Sequence, residues 1–173
     1  RLTSSGTMAP RRAGSVLWMD NTDLRLQGDA AQFPMAIIDF AHTPLPEQAG
    51  WHLQVSGGLE TAAMGALLLL VNASHGHVLS AFENAARPRQ VHRAILSAVR
   101  SDISRTLVEH ALAREEFDAD ANYPEGSLGS ACADVFRKIY NGRSVEDVRL
   151  GRKHSPSLFA TELQAHTELF KDA

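Results

Sequence analysis

The strongest constraint on the fold is a change of hydrophobic period along the chain. Between Ser15 and Val71, apolar residues form short runs or alternate with polar residues, as they do in β-strands. From Val78 onward they recur every three or four residues, as they do on one face of an α-helix. Strands followed by helices are typical of an α+β fold rather than of alternating βαβ units. The sequence therefore predicts an N-terminal, mainly antiparallel sheet, with about four to five helices packed on it.

Five segments carry the strand signals. An apolar run at residues 16–19 and the alternating residues 24–27 predict a hairpin that ends before Gly28. Residues 33–40 are a second apolar run, and residues 51–56 alternate strictly between apolar and polar side chains. Residues 66–71 fit either a buried strand or the end of a helix, and their brevity favours the strand.

The helix signals are mostly local. Helices are predicted at residues 78–86 and 89–116, where the second carries a long apolar stripe. Ser127 is placed to cap a third helix, and Gly142 fits its C-terminal end. Ser144 is placed to cap a short fourth helix. Pro156 suits the first turn of a last helix that extends to about Phe170.

The 173 residues have the length of one ordinary domain. Residues 1–14 are small, polar and basic, which predicts a flexible arm or a linker remnant. Residues 15–173 are expected to form a single α+β domain. A joint between two subdomains is the alternative, and it would lie near residues 84–89.

Composition excludes several classes of protein. Cys132 is the only cysteine, so an internal disulfide is excluded and a cytoplasmic location is expected. The longest apolar stretch, residues 62–71, is about half of what a membrane-spanning helix needs, so we expect no membrane association. The formal net charge of -3 disfavours a nucleic-acid partner.

Histidine and aspartate in the strand region are the candidate site residues. Asp39 and His42 lie at a predicted strand end, where catalytic side chains often project, and are the candidate catalytic pair. His75 and His77 are candidate metal ligands, because residues i and i+2 of an extended segment point to the same side. His52 is the third candidate ligand. The alternative is that these imidazoles decorate an exposed turn and a solvated strand face, since no spacing matches a zinc signature.

Three further patterns have simple structural explanations. Asp118, Asp120 and Asn122 resemble the start of a calcium-binding loop, but Tyr123 stands where the turn glycine is needed. Cys132 lies in an apolar helix stripe, which predicts a buried and unreactive thiol. Residues 143–154 form a basic stretch that could belong to a helix-turn-helix, although acidic residues interrupt it.

The sequence contains no nucleophile elbow, phosphate-binding loop or dinucleotide-binding glycine pattern. We therefore expect a non-catalytic module that binds another protein or itself, most plainly a homo-oligomer, and we expect no cofactor. Pairing of sheet edges between copies would protect those edges from other partners. The first alternative is a small metal-dependent hydrolase that uses the histidine and aspartate candidates. The second is a nucleic-acid-binding module built on the C-terminal helices.

Overall fold

The computed structural model describes residues 34–166, and its order of elements confirms the α+β class. The predicted arm and the predicted hairpin lie outside the described residues, as does the end of the last predicted helix. The strands are β1 (Met35–Ile38), β2 (Trp51–Val55) and β3 (Leu67–Asn72). The helices are α1 (Ala63–Ala66), α2 (Gly76–Glu83), α3 (Gln90–Leu112), α4 (Leu128–Ile139), α5 (Val145–His154) and α6 (Pro156–His166).

The three strands form one mixed sheet in the order β1-β3-β2. β2 is antiparallel to β3, as predicted, and Leu53 lies opposite Leu69. β1 is parallel to β3, with Met35 also opposite Leu69, so one of the two pairings departs from the predicted antiparallel arrangement. The reason is that the chain crosses from one edge of the sheet to the other before it inserts β3 between them. A central strand covered on both faces is apolar throughout, and residues 67–71 have that composition.

The two faces of the sheet are covered differently. Leu67, Leu69 and Val71 face the main core, to which the helices contribute most of the other buried side chains. Leu70 faces the opposite side, where it packs in a second small cluster with Ala36 and Phe40. In the described part of the chain, that second face is covered by side chains of the connection between β1 and β2, so the helices lie on one side of the sheet.

The predicted starts of the last three helices are confirmed. The Ser127 hydroxyl accepts the N–H of Ser130 at 3.1 Å at the start of α4. The Ser144 hydroxyl accepts the N–H of Asp147 at the same distance at the start of α5. Pro156 is the first residue of α6, and Gly142 follows α4 with a φ of 78°, in the left-handed region that favours glycine.

Helix α3 connects the sheet to the other helices. It packs against α2, α4 and β2, and the buried side chains along it include Leu96, Val99 and Ile103. The Trp51 indole N–H on β2 donates to the Asp102 carboxylate on α3 at 3.0 Å. None of the helices within residues 34–166 is both long and apolar enough to cross a bilayer.

Candidate functional site

The parallel pairing of β1 with β3 brings several polar residues to one end of the sheet. Asp39 directly follows β1, while Asn72 ends β3 and is followed by Ser74 and His75. The Ser74 hydroxyl donates to the Asp39 carboxylate at 3.0 Å, which links the two strand ends. We call Asp39, His42, Asn72, Ser74 and His75 the carboxyl-end cluster. It contains three of the five candidate residues, so it is the first place to look for chemistry.

Asn72 is completely buried and organises this cluster. Its side-chain oxygen accepts the N–H groups of Phe40 at 3.3 Å and Ser74 at 3.1 Å. Its side-chain nitrogen donates to the carbonyls of Glu47 and Ala49, both at 2.9 Å. An amide offers two donors and two acceptor sites, so its whole capacity is used by the backbone. Asn72 therefore fixes the connection between β1 and β2 over the end of β3, and its role is structural.

Asp39 is an ionised, solvated carboxylate. A hydrogen bond from the Ala41 N–H at 3.0 Å, followed by the bond from Ser74, holds the pKa of Asp39 below its usual range. The His42 Nε2 atom lies 3.9 Å from the second carboxylate oxygen, and the His42 side chain is 85% exposed. A general base works best with a pKa near the working pH, so a lowered pKa is the wrong direction for an aspartate base.

His75 and His77, the predicted pair of metal ligands, lie in different backbone environments. The His75 Nε2 atom is 3.2 Å from the Glu47 carbonyl oxygen, and His75 precedes helix α2. His77 lies inside that helix, which begins at Gly76. Residues two apart on a helix point about 200° away from each other. The predicted cation site required an extended backbone from His75 to His77. That backbone is not extended, because the helix begins at Gly76 and not at residue 78, where the apolar pattern predicts its start.

His52 is exposed on β2 opposite Leu70 and lies on the second face of the sheet. Across the residues that the structure describes, no group of three or more His, Cys, Asp or Glu side chains is close enough to hold a metal ion. The structure thus gathers Asp39, His42 and His75 at one end of the sheet, without the ligand geometry that a metal-dependent hydrolase needs.

The basic stretch after α4 is largely used inside the molecule. Arg143 pairs with Glu162 at 2.9 Å, and Arg152 pairs with Glu109 at 2.6 Å. The Arg149 guanidinium donates to backbone carbonyls at the end of α3 and just after it, namely those of Leu112, Arg114 and Phe117. Guanidinium groups occupied in this way are less able to neutralise phosphates, on which nucleic-acid affinity depends.

The thiol of Cys132 is fully buried in α4, as its place in the apolar stripe predicts. It donates to the Leu107 carbonyl at 3.7 Å, and burial raises its pKa to about 11. Reactive thiols need exposure and a lowered pKa. Cys132 is therefore a packing residue, and no nucleophilic role follows from it.

Two features were not predicted from the sequence. A cleft of about 420 Å³ lies between residues 118–120 and the turn from α4 to α5. Its polar walls include Asp118, Asp120 and Arg137, and the Arg137 guanidinium donates to the Ala119 carbonyl at 2.7 Å and to Asp134 at 2.6 Å. Turn composition marks both loops in the sequence, but only the tertiary structure brings them together.

The second feature is a serine–histidine contact between α2 and α3. The Ser80 hydroxyl lies 3.4 Å from Nε2 of His92, whose side chain is buried. Within the described residues, the other ring nitrogen of His92 is buried without a hydrogen-bond partner. A catalytic serine–histidine pair also needs a group that orients the base through that nitrogen. The pair therefore resembles a packing contact more than a nucleophile with its base.

The chain matches no protein-family model, and comparison with curated proteins and with solved structures gives no significant match either.

Proposed function

We propose that this protein is a non-catalytic module that assembles with itself into a homo-oligomer. The observation that carries the proposal is strand β1, which is paired along one side only within the described residues. Its sequence, Met-Ala-Ile-Ile, contains neither a charge nor a proline. Proteins that keep a sheet edge solvent-exposed usually protect it with charges, prolines or bulges. β1 itself has neither device, but it is only four residues long and lies between Pro34 and Asp39, so the edge that it offers to another strand is short.

The hydrogen bonds identify which backbone groups of β1 face away from the sheet. The Leu69 N–H donates to the Pro34 carbonyl, and the Ala73 N–H donates to the Ile38 carbonyl, both at 2.9 Å. Backbone groups alternate in direction along a strand, so residues 34, 36 and 38 face β3. Met35 and Ile37 consequently direct their N–H and C=O groups away from β3. Met35 is buried and Ile37 is partly exposed, so the groups of Ile37 are the ones that a second strand would reach.

The opposite edge of the sheet supports association less well. β2 packs against α3, and its Trp51 donates to Asp102 on that helix. β1 makes its main contacts with β3 among the described elements. Met35 and Ala36 are buried within the chain, whereas Ile37 and Ile38 are partly exposed, so a second chain would contact the second half of β1.

The two alternatives have less support. A hydrolase would have to work with Asp39, whose pKa is lowered, and with histidines that converge on no common point. A nucleic-acid-binding module would have to use arginines that are engaged with Glu109, Glu162 and backbone carbonyls.

The test is the mass of the full chain in solution, measured by size-exclusion chromatography with light scattering over a range of protein concentrations. We expect a dimer or a larger closed assembly, with dissociation on dilution. A particle with the mass of one chain at every concentration would contradict the proposal.

A further inference from the structure

An arginine joins the end of α3 to the turn of residues 56–62, which connects β2 to α1. The Arg114 Nη2 atom donates to the Gly57 carbonyl at 2.6 Å. The Arg114 Nε–H donates to Nε2 of His110 at 2.9 Å, and His110 lies one helical turn earlier in the chain. His110 therefore holds the guanidinium group that reaches the turn.

This pair of side chains requires that Nε2 of His110 carries no proton. A guanidinium group only donates, so the ring nitrogen must accept, and the proton of the neutral ring lies on Nδ1. Binding of a proton turns Nε2 into a donor and places a positive charge beside that of Arg114. Two donors cannot face each other at 2.9 Å, so the two side chains must separate once His110 is charged.

We infer that His110 and Arg114 form a pH-sensitive switch. While His110 is neutral, Arg114 holds the turn of residues 56–62 against the end of α3. When His110 binds a proton, Arg114 leaves the Gly57 carbonyl and that end of the turn is released. The inference is independent of the proposed self-association, because strand β1 takes no part in these contacts.

The groups around His110 determine the pH at which the switch operates. Burial, followed by the charge of Arg114, lowers the pKa of His110, whereas the charge of Glu116 acts in the opposite direction. Glu116 is 63% exposed and pairs with Arg114 at 3.3 Å. On α4, burial raises the pKa of the Cys132 thiol to about 11, so this thiol is uncharged at neutral pH. On α5, Arg149 donates to the Arg114 carbonyl and is a further positive charge near Glu116. The turn should therefore be released below about pH 6.5, the ordinary pKa of histidine.

The turn has a second attachment, which is made by backbone groups and does not titrate. The Gly129 N–H at the start of α4 donates to the Leu59 carbonyl at 2.7 Å, and the Leu128 N–H donates to the Thr61 carbonyl at 2.8 Å. Leu59 is also buried in the main core. Protonation of His110 should therefore free the Gly57 end of the turn, while the end that contacts α4 stays in place.

An NMR titration of the full chain between about pH 7.5 and pH 5 tests the switch at the atoms that form it. The Gly58 amide shares a peptide unit with the Gly57 carbonyl, so its chemical shift should change with the same midpoint as the His110 ring. The Arg114 Nε–H signal should disappear over the same range, because a released group exchanges with water. The Gly129 amide should keep its shift and is the internal control.

Two glutamine variants separate the switch from a general effect of acid. In His110→Gln, a neutral amide oxygen can still accept from Arg114 but does not titrate. His77→Gln removes an exposed histidine on α2 and is the matched control. The pH dependence of the Gly58 amide should be lost in His110→Gln and kept in His77→Gln.

Three outcomes would overturn the inference. The first is a Gly58 titration that persists in His110→Gln. The second is a wild-type His110 that titrates while Gly58 does not. The third is a His110 ring that is still neutral at about pH 5, because the switch would then have no proton to respond to. The second and third are read from the wild-type chain, so the test does not depend on a variant folding.

Discussion

The strand region and the helical region stabilise their polar groups in different ways. In the strand region a single buried amide, Asn72, bonds to four backbone groups. In the helical region several partly exposed arginines, such as Arg149 and Arg152, each bond to carbonyls or to a carboxylate. Removing the hydrogen-bond partner of a buried polar group lowers the free energy of unfolding far more than removing the partner of an exposed one. The strand region should therefore depend on one residue, while the helical region should tolerate the loss of any one arginine.

The largest expected effect is that of Asn72→Ala. The substitution leaves the buried N–H of Phe40, the N–H of Ser74 after β3, and the carbonyls of Glu47 and Ala49 in the β1–β2 connection without their partner. We expect the free energy of unfolding to fall by about 3 kcal/mol or more, as measured by urea denaturation followed by circular dichroism. Asn122→Ala, at an exposed loop position, is the control and should change stability by less than about 0.5 kcal/mol. A loss at Asn72 no larger than at Asn122 would remove the distinction between the two regions.

A smaller effect is expected for Arg149→Ala. Its guanidinium bonds to three carbonyls at the end of α3 and just after it, and its side chain remains 26% exposed, so water can replace part of these hydrogen bonds. We expect a loss of about 1 to 2 kcal/mol in the same denaturation experiment. Arg149→Lys should recover only part of it, because one ammonium group cannot span three carbonyls. A loss as large as that of Asn72→Ala would mean that the helical region also depends on one residue.

The smallest expected effect is on the pH dependence of the free energy of unfolding, to which the two regions contribute in different pH ranges. Burial, and then the charge of Arg114, lower the pKa of His110 on α3. Below about pH 6.5 the unfolded chain therefore binds more protons at His110 than the folded protein does. The stabilisation that His110 contributes to the folded state is complete above that pH and is lost as the pH falls through the lowered pKa. The lowered pKa of Asp39 acts in the same direction, but only in acid, below about pH 3.9.

Urea denaturation between pH 7 and pH 5 checks this assignment. His110→Gln should flatten the stability profile in that interval, whereas Asp39→Asn should leave the profile there unchanged. Asp39→Asn should alter the profile only in more acidic solution. A profile that is the same in the wild type and in His110→Gln would show that His110 stays as easily protonated in the folded protein as in the unfolded chain.

The sequence predicted the helices better than the sheet because helix signals are local. Ser127, Ser144 and Pro156 each mark a helix start within a few residues of the groups they cap or begin. The parallel pairing of β1 with β3 instead joins residues such as Met35 and Leu69, which are far apart in the chain and carry no mark of their partner.

The candidate site shows the same limit. Asp39 was predicted at a strand end, and it is there, but its partner Ser74 could be identified only once β1 and β3 were paired. Asn72 has the composition of a turn residue, and nothing local distinguishes an exposed turn amide from a buried one with four bonds. The His75 and His77 pair was assigned to an extended segment, whereas the helix begins at Gly76.

The contact between Trp51 and Asp102 gives the fold a built-in optical reporter. This indole is one of only two in the sequence, and it joins β2 to the middle of α3. Any opening that moves the helices away from the sheet must break that bond and hydrate the ring. Its emission would then shift to longer wavelength, so a Trp18→Phe background would let fluorescence follow the separation of the two layers in real time.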